Sequence, residues 1–272
     1  DFRTFILSLL YVPTFRIEDN FYFNSVPPLR PIPTKTSAVF RFIRNGFEPR
    51  IGWESIAEQV YYKDMNKNAC EFIEESAFSG LDKINHFLSH PMFLNTDYEI
   101  TGKCFFLAPL GVLKENHNSG DEIDEIIKKL EVEVHLKLRN KFNGNLIEIE
   151  DVGVGISQII PVLEVITSDF WNNGFNAFIQ QPELHLHPKL QAQLADAFIE
   201  SVNNHIKLER SPCFIIESHS EHFLLRLLRR IRETNESDIK NKLFGLTAQD
   251  ISVLYVDKLE DGSSKIFPLR IS

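Results

Sequence analysis

Three short stretches carry the residue types that could do chemistry. FIQQPELHLHP, Phe178 to Pro188, ends an apolar run in Gln180, Gln181 and, past a proline, Glu183. IIESHSEH, Ile215 to His222, ends another apolar run in Ser218 and His219. Between an acidic residue and an apolar helix pattern lies Asp151-Val-Gly153-Val-Gly155-Ile-Ser157-Gln158. Polar groups at strand ends are where open α/β sheets bind ligands. Two glycines let the backbone approach a ligand, and Ser157 stands at a helix start, where free N–H groups favour phosphate. Each stretch alone is weak, because most glycine turns are plain connections and a lone histidine is more often a cap or core residue. Their order is more specific: Gln181 follows Ser157 by 24 positions, and His219 follows Gln181 by 38.

The elements that must position these residues can be read around them. From residue 121 the pattern is clear: a helix over DEIDEIIKKL, with acids first and lysines last to suit the helix dipole, then EVEVHLKL, whose alternation puts Val132, Val134, Leu136 and Leu138 on one strand face. Asn143-Gly144 turns the chain into a return strand, a β-hairpin. A helix follows the glycine turn, then a strand (175–180), a helix (188–204), a strand (213–217), a helix (220–233) and a strand (251–256). Such alternation implies an α/β fold with a parallel sheet, the strands 175–180 and 213–217 being buried parallel neighbours. Residues 1–120 read as irregular and hold eight of the thirteen prolines; VPPLRPIP, Val26 to Pro33, reads as an extended loop. The division is thus 1–120, an irregular portion, and 121–272, the α/β core lobe.

Composition narrows the classes. A hydrophobic content of 43% supports a packed core, and a net charge of −9 argues against a global nucleic-acid surface while leaving local basic patches open. No apolar run is long enough to span a membrane and no signal peptide is visible. Cys70, Cys104 and Cys213 form neither a disulfide framework nor a zinc site, which points to a reducing cytoplasm. His185 and His187 have zinc-like spacing but no third ligand nearby. Ser157, His219 and Asp151 lack the G-x-S-x-G elbow of a hydrolase triad. Arg226, Arg229, Arg230 and Arg232 read as a solvated helix face, with a partner or DNA contact as the alternative.

The three stretches in this order resemble the signature, Walker B and switch-histidine motifs of ABC-type P-loop ATPases. More narrowly, DVGVGISQIIPVL, PELHLHPKLQ and IIESHSEHFLLRLL are similar to the RecF/SMC-like AAA ATPases that include OLD proteins and the ATPase subunits of anti-phage systems such as Septu and PARIS. The resemblance is strong over 145–270. It implies a P-loop, ABC-ATPase-like head with ATP and Mg²⁺ as cofactors, held between two heads of a homo-oligomer. Gly153, Gly155, Ser157 and Gln158 would close over the partner's γ-phosphate. Gln180 falls at the Mg²⁺-holding acid, Gln181 at the general-base slot with Glu183 beyond it, His187 in the loop contacting the opposite head, and His219 at the switch histidine. The implied function is an ATPase subunit controlling an effector nuclease in anti-phage defence or DNA repair, with nucleic acid or a phage protein as a further partner. A non-hydrolysing nucleotide sensor and the ATPase part of an OLD-type nuclease are the alternatives.

Two departures stand against that pattern. No G-x-x-x-x-G-K-[ST] occurs; the Gly102-Lys103 pair is followed by Cys104. The chain begins with Asp, so the P-loop is expected upstream in a longer protein. The amides of Gln180 and Gln181 orient water but take no proton and give Mg²⁺ no charge. The sequence leaves open an engineered Glu→Gln change and a natural loss of hydrolysis.

Overall fold

The structure is a computed structural model and describes residues 4–10, 23–26, 39–43, 53, 55–60, 79–107, 131–167, 176–207, 213–236 and 245–271. The expected helix at 121–130 and the loop 27–33 lie outside these residues. The chain packs as two compact units. One comprises residues 1–30, 87–96 and 154–272, the other 31–86 and 97–153. The partition therefore does not run at residue 120. The reason is pairing: strands from the first 30 residues enter the sheet that carries the C-terminal motifs.

That sheet has six strands: β1 (Thr4–Leu10), β2 (Phe23–Val26), β7 (Asn176–Gln180), β8 (Cys213–Ser218), β9 (Ile251–Lys258) and β10 (Ser264–Leu269), in the spatial order β10-β9-β1-β8-β7-β2. β7 lies between β2 and β8 and is parallel to both. The two motif strands are thus parallel, internal neighbours. Outward from β8 the sheet is antiparallel through β1, β9 and β10, so it is mixed rather than mainly parallel.

The helices of this unit are α2 (Val154–Thr167), α3 (Pro188–Lys207) and α4 (Glu221–Glu236). From Ser157 onward every residue of α2 is buried, as a helix apolar all round must be. Against β8 the core is aromatic: Phe198 of α3 meets Phe214 of β8 at 5.5 Å and Phe223 of α4 at 5.7 Å, both edge-on, the arrangement ring quadrupoles favour. α4 buries Phe223, Leu227 and Ile231, one stripe at a four-residue spacing.

Its outer face is not simply solvated. The Arg226 and Arg230 guanidiniums both donate to Asp196 of α3, whose side chain is fully buried, at 2.6–2.9 Å. Of the four arginines expected on an open face, two are therefore cross-links between helices. The hydrogen bond to Asp196 is the main cause holding the Arg230 pKa above its ordinary value.

The second unit is built on an antiparallel sheet of β3 (Val39–Ile43), β5 (Glu131–Asn140) and β4 (Tyr98–Leu107), with β6 (Leu146–Ile147) on β5. The β5–β6 hairpin closes as expected: Gly144 takes φ +73° and its N–H donates to Asn140 O. Val134, Leu136 and Leu138 are buried together. Helix α1 (Ser79–Ser89) is tied to β4 through the Asn85 amide, which bonds both N and O of Ile100.

Candidate functional site

The strand ends of β7 and β8 hold the site. At the last residue of β7 the register pairs Gln180 with Glu217. The Gln180 Nε2 donates to Glu217 Oε2 at 3.1 Å. The next residue, Gln181, donates its N–H to Glu217 O at 2.8 Å and takes φ +44°, in the left-handed region. Two consecutive turns follow, closed by Leu184 N–H to Gln181 O and Leu186 N–H to Glu183 O, with His185 at φ +65°. Two non-glycine residues at positive φ within five positions cost on the order of 1–3 kcal/mol each, and such conformations cluster at functional sites.

Glu183 is held inside this double turn. It is 6% exposed. Its Oε1 accepts the backbone N–H of His219 at 2.8 Å, which ties the β7 loop to the β8 loop. Its Oε2 is buried and has no hydrogen-bond partner among the described residues. An unpaired buried carboxylate oxygen is expensive, so it marks a place where a ligand or water is expected. The residue forms part of the wall of a cavity of about 600 Å³, together with Gln181, His185, His219, Glu221 and His222.

Both loops are locked by the starts of the following helices. His187 caps α3: its Nδ1 accepts Lys189 N–H, and Pro188 at the first helical position has no N–H to satisfy. Ser220 caps α4, accepting Phe223 N–H at 2.9 Å while donating to Gln191 Oε1 at 2.7 Å. The Gln191 amide in turn donates to Leu186 O at 2.9 Å. This chain of bonds joins the loop after β7, α3 and the loop after β8 into one rigid frame. A serine before a helical pattern is a legible cap signal; the Gln191 bridge has none.

The glycine turn is placed differently from its sequence reading. Gly155 needs its hydrogen for its own chain: a methyl there would lie 2.8 Å from the His185 carbonyl oxygen and 3.2 Å from Leu186. Ser157 is 1% exposed and its hydroxyl donates back to Val154 O, so it does not face outward to a phosphate; Gln158 is buried as well. What the turn exposes is Gly153, with open space around its Cα, and Val154, 48% exposed.

The amide nitrogen of Gln180 is spent on Glu217, and the negative charge of the pair belongs to Glu217. Mg²⁺ is typically held by one or two carboxylates with phosphate oxygens and waters completing its shell. Glu217 and Glu183 are carboxylates of that kind, whereas Gln180 carries no charge. Among the described residues no group of three His, Cys, Asp or Glu is gathered that could hold a metal by itself. Nor is any helix among them long and apolar enough to cross a membrane.

With this geometry in place, the AAA ATPase domain model matches residues 54–224, a span that includes the glycine turn and both strand ends. The chain belongs to the AAA ATPase domain family. The family places an ATPase-type α/β fold around the strand ends just described. No curated protein sequence matches the chain. Among solved structures, this AAA ATPase chain is similar to one described for ATP-driven dimerization and DNA-stimulated activation of SMC ATPases: 11% identity, TM-score 0.39, over 71% of this chain and 84% of that one. An Smc head bound to the C-winged helix domain of ScpA gives 11% identity and TM-score 0.42, over 80% of this chain and 49% of that one. An Smc head with an extended coiled coil bound to the C-terminal domain of ScpA, derived from Pyrococcus furiosus, gives 11% identity and TM-score 0.41, over 77% and 39%.

Proposed function

We propose that the chain is the lobe of an ATP-hydrolysing head in which Glu183, not Gln181, is the general base. The observation that carries this is the buried Glu183 Oε2 without a partner, in a residue that lines a cavity at the strand ends. Phosphoryl transfer to water asks the protein for positioning and charge stabilisation more than for covalent chemistry. A carboxylate whose other oxygen is fixed by His219 N–H is positioned in that sense and can take the proton of an attacking water. Gln181 donates and accepts hydrogen bonds but takes no proton, so its amide orients rather than accepts. Mg²⁺, when bound with ATP, would supply charge neutralisation at the phosphates; the strand-end carboxylates are the groups here that would hold it.

The bond from Glu183 to the His219 backbone also ties the base to the switch-histidine loop, so movement of one carries the other. His219 would contact the γ-phosphate, and the exposed Gly153–Val154 turn together with the His187 loop would meet a second head, making the working form a homo-oligomer. Its setting, control of an effector nuclease in anti-phage defence or DNA repair in the cytoplasm, rests on the motif resemblance. A second reading, a head that binds ATP without turnover, is favoured by the two amides at Gln180 and Gln181.

Steady-state ATP hydrolysis and nucleotide binding by the full-length protein separate them. Glu183→Gln should lower turnover on the order of 10²–10³-fold with nucleotide affinity nearly unchanged. Hydrolysis by the Glu183→Gln protein at the parent rate would sink the assignment of the base. A parent that binds ATP without turning it over would favour the second reading.

A further inference from the structure

We propose that Glu217 is the strand-end carboxylate that serves the nucleotide's divalent cation, the acid having moved one strand over from the position Gln180 occupies. This deepens the ATPase reading above and rests on it. β7 and β8 are parallel and pair Gln180 with Glu217, so the two side chains emerge at the same height. By alternation they share the face of Phe178 and Ile215, opposite to buried Phe214, Ile216 and Ser218. The hydrogen bond of 3.1 Å takes one oxygen of Glu217. Its other oxygen has no protein partner among the described residues, and the residue is half-buried. The Gln181 N–H bound to Glu217 O fixes the backbone under that carboxylate.

Charge decides which residue serves. With an acid at both positions, two carboxylates would face each other at hydrogen-bond distance, and one would have to be neutralised. With glutamine at 180, the pair keeps one negative charge, and the amide N–H orients it. The glutamine is thus the partner of a relocated acid, and its presence does not remove the charge from the strand end. Glu217 and Glu183 then divide the work: one carboxylate beside the cation, the other at the water.

The test uses the full-length protein with Mn²⁺ as the probe cation. Free Mn²⁺ is read by its paramagnetic resonance signal with ATP present, ATP affinity is read separately in chelator, and turnover is measured alongside. Glu217→Gln should weaken nucleotide-dependent Mn²⁺ binding about 10–100-fold, as loss of a group orienting the metal shell does. Turnover should fall with it, and affinity for metal-free ATP should stay within a few-fold. The exchange Gln180→Glu with Glu217→Gln returns the carboxylate to the neighbouring strand at the same height, and should recover Mn²⁺ affinity to within a few-fold of the parent. That recovery also shows that glutamine at position 217 is compatible with the fold. Unchanged Mn²⁺ affinity in Glu217→Gln overturns the proposal; if Glu183→Gln still abolishes turnover, the ATPase reading stands without it. Failure of the exchange to recover Mn²⁺ affinity also overturns it. A parent protein that binds no nucleotide overturns both.

Discussion

Two buried carboxylates lie thirteen positions apart, and they are treated in opposite ways. Asp196 is 0% exposed and its two oxygens accept four hydrogen bonds from Arg226 and Arg230. Glu183 is 6% exposed, and one of its oxygens is left with nothing. Saturation by two arginines makes Asp196 a helix-to-helix cross-link and leaves it no capacity for anything else. Under-saturation costs Glu183 stability and leaves a buried acceptor oxygen without a donor. The same residue chemistry cross-links two helices where four donors converge on it, and leaves an oxygen without a donor where one donor does.

That contrast breaks most cleanly at Asp196. Removing one partner of a buried ion pair typically costs about 3–5 kcal/mol because the remaining charges are stranded. Arg226 and Arg230 are 22% and 18% exposed and can partly rehydrate. Asp196→Ala should therefore lose about 3 kcal/mol, the low end of that range, in denaturant unfolding. Glu183→Gln, in the same assay, should cost nothing or stabilise slightly, because it removes an unpaired buried charge. Equal losses from the two substitutions would erase the distinction.

Legibility in the sequence follows locality. β7 and β8 were readable because each is an apolar run ended by polar residues, and the β5–β6 hairpin because alternation and Asn143-Gly144 lie side by side. β1 was not, although TFILSLL is apolar, since its partners β8 and β9 lie more than 200 positions away and no local period encodes a pairing. The same limit hid the carboxylate beside Gln180. Glu217 is an ordinary residue until the register sets it beside Gln180. Asp196 likewise reads as one acid on a helix; its arginines come 30 and 34 positions later. The motifs located the strand ends, and the roles within them depended on which side chains were already engaged.

The glycine turn offers a sharper cut of intermediate size. Gly153 and Gly155 are two residues apart, yet a methyl at the first meets nothing within 4 Å and at the second meets a backbone carbonyl. Gly155→Ala should cost about 1–3 kcal/mol, because the His185 carbonyl belongs to a double turn that cannot easily shift. Any shift it does make moves the loop holding Glu183, so turnover should fall further than stability. Gly153→Ala should leave stability within about 0.5 kcal/mol of the parent, as exposed substitutions usually do. Thermal unfolding and ATP turnover of the two alanine proteins check this together, and a larger stability loss at Gly153 would contradict the packing.

The smallest effect belongs to a third carboxylate, Glu233, which lies between the two extremes. It accepts Arg229 Nε at 2.6 Å and Arg230 Nη1 at 2.7 Å, with a side chain 36% exposed. Partial burial pushes its carboxyl pKa up, but the hydrogen bonds from Arg229 and Arg230 outweigh this and hold it below the ordinary 4.5. A carboxyl depressed in the folded state contributes stability that is fully present above its unfolded value. The contribution is lost as pH falls through the lower folded value, since both states are then protonated. Exposed pairs are screened by solvent and typically contribute roughly 0–1 kcal/mol, so the expected gap between parent and Glu233→Gln at neutral pH is no larger than that. Denaturant midpoints at neutral pH and well below 4.5 should show the gap closing in acid. A gap that persists unchanged in acid would mean that Glu233 acts by packing on α4 and not by its charge.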